Sequence, residues 1–102
     1  MIPELSTKLK EVEQLCRVYG VQRLEVFGSG STGVFRPDES DLDFLVEFEM
    51  TNRPGYSERY FGFLEALEDL FGRPVDLVVP SAIRNPFFRE AVERTRALLY
   101  AA

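Results

Sequence analysis

The sequence predicts a two-layer α/β (α+β) domain: a small mixed sheet of three strands, with helices on one face and the other face open. Three observations carry that reading. Asp41 to Met50 (DLDFLVEFEM) alternates apolar and acidic side chains, with Leu45 the one exception, and a period of two marks a half-buried strand. Three other segments space their apolar residues by threes and fours, as amphipathic helices do. Glycine or proline punctuates most of the junctions between them.

Each element follows in order. Pro3 to Tyr19 places Leu5, Leu9, Val12, Leu15, Cys16 and Tyr19 on one helical face, and Gly20 ends the helix. Cys16 on that face reads as a small hydrophobe. Gln22 to Phe27 is a short strand with Leu24 and Val26 on one side and Arg23 and Glu25 on the other. Gly28 to Ser40 (GSGSTGVFRPDES) is glycine-rich and polar, which predicts a tight turn and one helical turn. The alternating strand follows. A second helix spans Tyr56 to Phe71 with the stripe Tyr60, Phe63, Leu64, Leu67, Leu70 and Phe71, and Gly72 stops it. Pro74 to Val79 is the third strand. Asn85-Pro86 announces the last helix, a side-chain cap followed by proline at the first helical position. Its expected inward residues are Phe88, Ala91, Val92, Thr95, Leu98 and Leu99. Phe61 and Phe87 fall off their helices' stripes and are candidates for an exposed patch.

At 102 residues the chain is read as one domain, 1–102, with 45% hydrophobic residues to build its core. Twelve basic against seventeen acidic residues give a net charge of −5. Such a surface repels nucleic-acid backbones, whose binding depends on neutralising phosphates. Histidine is absent, so any acid–base chemistry must use carboxylates, tyrosines or lysines. One cysteine permits no internal disulfide and no multi-cysteine metal site, which fits a reducing compartment. There is no targeting pattern at the N-terminus and no apolar run of the roughly 18 residues a membrane helix needs. A soluble, cytoplasmic protein is expected.

The chemistry concentrates in one constellation. Asp41 and Asp43 lie two apart on a strand, so both side chains leave the same face, about 6–7 Å apart along the backbone. Magnesium prefers such hard oxygen ligands, completed by phosphate and water. If the third strand lies beside the second, Asp76 joins them. Alone, the pair also fits a solvated strand face. Gly28-Ser29 changes the balance, because it follows a strand and opens a turn. Glycine lets the backbone approach a ligand, while the serine hydroxyl and the next amides, at Gly30 and Ser31, can donate to phosphate oxygens. Ser31 and Thr32 can add hydroxyl contacts or simply begin the short helix. Arg36 can reach a phosphate or remain a solvated loop residue. Together the turn and the acids describe a nucleotide–metal site.

Gly28-Ser29, eleven intervening residues, Asp41-Leu42-Asp43 before FLVEF, and Asp76 within VDLVV resemble the minimal nucleotidyltransferases of the DNA polymerase beta superfamily. The resemblance covers nearly the whole chain in element order. It implies the nucleotidyltransferase fold and a division of labour. Gly28 and Ser29 would hold the β- and γ-phosphates of ATP. Asp41 and Asp43 would bind two Mg²⁺ ions, and Asp76 would help hold the catalytic ion and assist loss of the acceptor's proton. Gly30 stands where many members carry a larger residue, often arginine, and so lacks a phosphate contact.

So small a domain leaves the acceptor to another molecule. Stand-alone members resemble the antitoxin of a toxin–antitoxin pair, whose partner is a helical HEPN-type toxin. The expected function is Mg²⁺-dependent transfer of AMP from ATP to a tyrosine hydroxyl of that toxin. The alternative is a binding module that neutralises its partner by occlusion. A third option is nucleotidyl transfer to a small molecule, with the pocket completed by a homodimer.

Overall fold

The computed structural model describes residues 2–32 and 41–102. The elements run α1 (Pro3–Thr7), α2 (Leu9–Tyr19), β1 (Val21–Phe27), α3 (Ser29–Thr32), β2 (Leu42–Phe48), α4 (Tyr56–Phe71) and β3 (Val75–Val78). A 3₁₀ turn (Pro80–Ala82), α5 (Pro86–Thr95) and β4 (Ala97–Ala101) complete them. The sheet order is β3-β2-β1-β4. β1 pairs antiparallel with β2 and β4, and β2 pairs parallel with β3 across the α4 crossover.

The mixed sheet and its helical layer agree with the sequence reading, and α4 has the bounds its stripe predicted. Leu24, Val26, Leu42, Phe44 and Val46 line one face of the sheet and are buried against Val12, Cys16, Phe63 and Leu67. Gly20 closes α2 in the left-handed region at φ 69°. The first helix is not continuous: Lys8 leaves helical geometry at φ −106°, ψ 14°, and its ammonium reaches the Leu70 carbonyl at 2.8 Å. The break lets Leu5 pack over α3 while α2 lies on α4.

Besides the break at Lys8, two features depart from expectation. The sheet has four strands, not three. Asn85 caps α5 through the Phe87 and Phe88 amides, at 2.8 and 3.3 Å, but the helix ends at Thr95. Leu98 and Leu99 continue as strand β4 on the open edge of β1. Leu99 is buried there, whereas Leu98, Ala91 and Phe88 are exposed rather than inward. The second departure is on the face carrying the acids. Phe27, Leu45, Ile83 and Val92 form a small cluster with Val78, so the 3₁₀ turn and α5 cover part of that face and leave the rest open. Leu45 breaks the alternation of β2 because it points into this second cluster.

At the β3 edge, Glu68 accepts from the Val75 amide at 3.1 Å and the Tyr60 hydroxyl donates to the Leu77 carbonyl. Side chains of α4 thus satisfy backbone groups of an edge strand and blunt it against further pairing. No helix among the described residues is long and apolar enough to cross a membrane.

Cys16 is fully buried, and burial, with Glu13 nearby, pushes its thiol up to about 12. A thiol reagent at pH 8 should leave Cys16 unmodified in the native protein and label it after unfolding. Rapid labelling of the native chain would contradict this burial.

Candidate active site

β1 sets the site's first boundary. Phe27, its last residue, pairs across the sheet with Asp43. The chain then turns at Gly28, φ 69°, into α3, where the Ser31 and Thr32 amides return to the Gly28 carbonyl at 3.1 and 3.2 Å. The Gly28 amide donates to Thr95 Oγ1 at 2.8 Å, and that hydroxyl in turn donates to the Ala91 carbonyl at 3.1 Å. Thr95 therefore fixes the glycine turn against the end of α5. The sequence reading places Thr95 only among the inward residues of the last helix, because a threonine in a last helical turn has no local signature of such a contact.

Gly28 is required on two counts. Its positive φ disfavours side chains, and a β-carbon there would lie 3.0 Å from Asp43 Oδ2. The same proximity means that the Asp43 carboxylate sits directly against the turn.

The acids converge. Asp43 and Asp76 are register partners on the parallel strands β2 and β3, so they share a face one strand spacing apart. Asp41 lies just before β2, exposed to solvent. Burial pushes the Asp43 carboxyl up to about 6, and the charges of Asp76 and then Asp41 add to the rise. Asp43 has no hydrogen-bonded or ion-paired cation among the described residues. Of the other predicted residues, Ser29, Gly30 and Ser31 lie in α3, directly after the Gly28 turn that Asp43 abuts. The stretch 33–40, including Arg36, lies outside the described residues.

Gly30 also has a packing role. It is buried, and a β-carbon there would meet Leu42 Cδ2 and Val26 Cγ2, each at 3.2 Å. Its carbonyl accepts from the Ile2 amide at 3.0 Å. Glycine at this position lets α3 pack tightly on β1 and β2 and anchors the N-terminus. Gly30→Leu should lower stability by about 1–3 kcal/mol, as over-packing does, read as a reduced denaturation midpoint with an unchanged m-value.

The donor set suits a hard divalent cation. It consists of carboxylate oxygens, one of them crowded by like charges that a cation would neutralise. The described residues gather no ready-made cage of three or more ligands, so water and substrate oxygens would have to complete the coordination.

The family model described as nucleotidyltransferase domain matches residues 5–99. The chain belongs to that family. Among its relatives, this nucleotidyltransferase is 37% identical to "Putative protein adenylyltransferase MJ1379" of Methanocaldococcus jannaschii, over 90% of this chain and 88% of the relative. A solved structure described as a "putative minimal nucleotidyltransferase" superposes with a TM-score of 0.72 at 35% identity, covering 91% of this chain and 90% of the other. The same fold appears at 18% identity, with a TM-score of 0.63, in a structure of a tri-AMPylated Shewanella oneidensis HEPN toxin in complex with an MNT antitoxin. That likeness covers 95% of this chain and 72% of the other. The likeness to minimal nucleotidyltransferases drawn from Gly28-Ser29 and Asp41-Leu42-Asp43 therefore holds, and the protein is a nucleotidyltransferase enzyme of mixed α/β fold.

Proposed function

We propose that this nucleotidyltransferase moves AMP from ATP, with Mg²⁺, to a tyrosine hydroxyl of a HEPN-type toxin and so acts as its antitoxin. The observation that carries the reading is the Asp43 carboxylate, wedged between the charges of Asp76 and Asp41 and against the Gly28 turn. An Asp43 carboxylate disfavoured by burial and by two neighbouring charges destabilises the free protein, a cost that makes sense where a substrate complex relieves it. The name of the M. jannaschii relative and the AMPylated toxin of the Shewanella complex support the choice of adenylyl group and partner.

Asp41, Asp43 and Asp76 would hold the magnesium, which supplies neutralisation of phosphate charge and activation of the attacking oxygen. The Ser29 and Gly30 amides and the Ser29 hydroxyl would hold the β- and γ-phosphates, with Thr95 keeping the turn in place. The acceptor oxygen forms a bond to the α-phosphorus, and the bond from that phosphorus to the α–β bridging oxygen breaks. Pyrophosphate leaves with the electron pair, and Asp76 assists loss of the hydroxyl proton.

The test uses ATP labelled in its α-phosphate, Mg²⁺ and a co-expressed HEPN-type protein. Label on a partner tyrosine, lost on chelation of magnesium, is the expected result. Protection from the toxin with no label at any tyrosine would replace transfer by occlusion.

A further inference from the structure

Beyond β3 lies a groove of about 420 Å³ lined by Tyr56, Tyr60, Phe61, Leu77, Val79 and Ala82. Phe61 is 63% exposed at its margin and meets Tyr60 edge-on, with ring centroids 5.1 Å apart. Glu58 and Glu65 stand three residues before and four after Phe61 on α4, so the three side chains share one helix face. Both glutamates are exposed, and neither forms an ion pair among the described residues. The surface is therefore an aromatic centre with an uncompensated acidic border.

Its place relative to the acids gives it a use. Transfer to the α-phosphorus is an in-line displacement, so the acceptor enters opposite the departing pyrophosphate. With pyrophosphate held at the end of β1 and the acids on β2 and β3, the acceptor enters from the β3 side. Asp76 belongs to β3 and is followed by Leu77, which lines the groove and whose carbonyl accepts from the Tyr60 hydroxyl. The groove thus begins one residue along β3 from Asp76.

We propose that the groove centred on Phe61 docks the acceptor-bearing segment of the partner protein, and that Glu58 and Glu65 select one whose apolar anchor is flanked by lysine or arginine. The inference rests on the nucleotidyl-transfer reading and adds to it where the acceptor binds and what chemistry it presents.

Two synthetic peptides serve as probes, each with one leucine and one tyrosine, one flanked by lysines and the other by glutamates. Binding is read by fluorescence anisotropy, and transfer by label from ATP. The lysine peptide should bind the wild type at least about tenfold more tightly than the glutamate peptide. Phe61→Ser should weaken it by about tenfold, the scale of a buried aromatic anchor. The double variant Glu58→Lys, Glu65→Lys should reverse the charge preference. Affinity for Mg-ATP should be the same in all three proteins. Equal affinity for the two peptides, no measurable binding of either, or binding indifferent to Phe61→Ser would overturn the proposal. Label is a separate readout: peptide binding without transfer to any hydroxyl, of peptide or partner protein, would instead count against the nucleotidyl-transfer reading.

Discussion

Asp43→Asn should reduce adenylyl transfer by at least about a thousandfold while making the unliganded protein more stable. The two effects share one cause. Asp43 sits at the focus of the acid cluster, where burial and the charges of Asp76 and Asp41 disfavour its ionised form. Its folded pKa of about 6 lies above the ordinary 3.8, so folding is penalised once the unfolded chain ionises. The penalty is absent below about pH 4, grows as pH rises from there, and is complete above about pH 6. That shift sets a ceiling of about 3 kcal/mol, and partial contact with solvent lowers the expected gain to about 1–2 kcal/mol at pH 7. Asparagine preserves shape and removes the charge. Urea unfolding at pH 7 and pH 4 should show the gain only at the higher pH. Mg-ATP should raise the wild type's midpoint and leave the variant's unchanged, since only a ligand that binds the folded state stabilises it. A variant less stable than wild type at pH 7 would mean that Asp43 makes net favourable contacts in the free protein.

The parts of this molecule legible in the sequence are those where local pattern and tertiary environment agree. Alternation over 41–50 puts Leu42, Phe44, Val46, Phe48 and Met50 on one face; the first four are buried, while Met50 lies past the end of β2 and is exposed. The stripe of α4 and the Asn85-Pro86 start of α5 were equally plain, because caps and periodicity act over a few residues. β4 was not. The spacing Val92, Thr95, Leu98, Leu99 continues a helical stripe, and only the unpaired edge of β1 gives those last residues a reason to extend. The candidate site was legible only as residue types, a glycine turn and three acids with recognisable chemistry. Their convergence depended on the parallel register of Asp43 with Asp76, a fact about strand neighbours that no local pattern contains. Gly30 carries a constraint that no local pattern shows: Val26 and Leu42 leave little room there for a side chain.

The second large effect concerns Glu25, the one charged residue that is buried among the described residues. Arg96 grips it with Nε at 2.8 Å from Oε2 and Nη2 at 2.6 Å from Oε1, while Arg23 Nε adds a bond of 3.0 Å. These bonds, that to Arg96 foremost, hold the Glu25 carboxyl below its ordinary 4.5. Arg96→Ala should cost about 2–4 kcal/mol, because it leaves a buried carboxylate with one partner. Arg96→Lys should cost less, keeping the charge and losing the two-pronged grip. The pH dependence has the opposite sign to that of Asp43. A depressed folded pKa contributes stability that is present above pH 4.5 and lost as pH falls through the folded value. Acid unfolding should therefore steepen below pH 4.5 in the wild type and flatten in Arg96→Ala, with unfolding midpoints across that range as the measurement. The variant also tests how the fold supports the site. Arg96 joins α5 to β4 immediately after Thr95, the residue that holds the Gly28 amide. Loosening that junction should raise the KM for ATP several-fold with little change in kcat, since the acids themselves are untouched. Loss confined to kcat would instead place Arg96 nearer the reacting phosphate than the Thr95–Gly28 link requires.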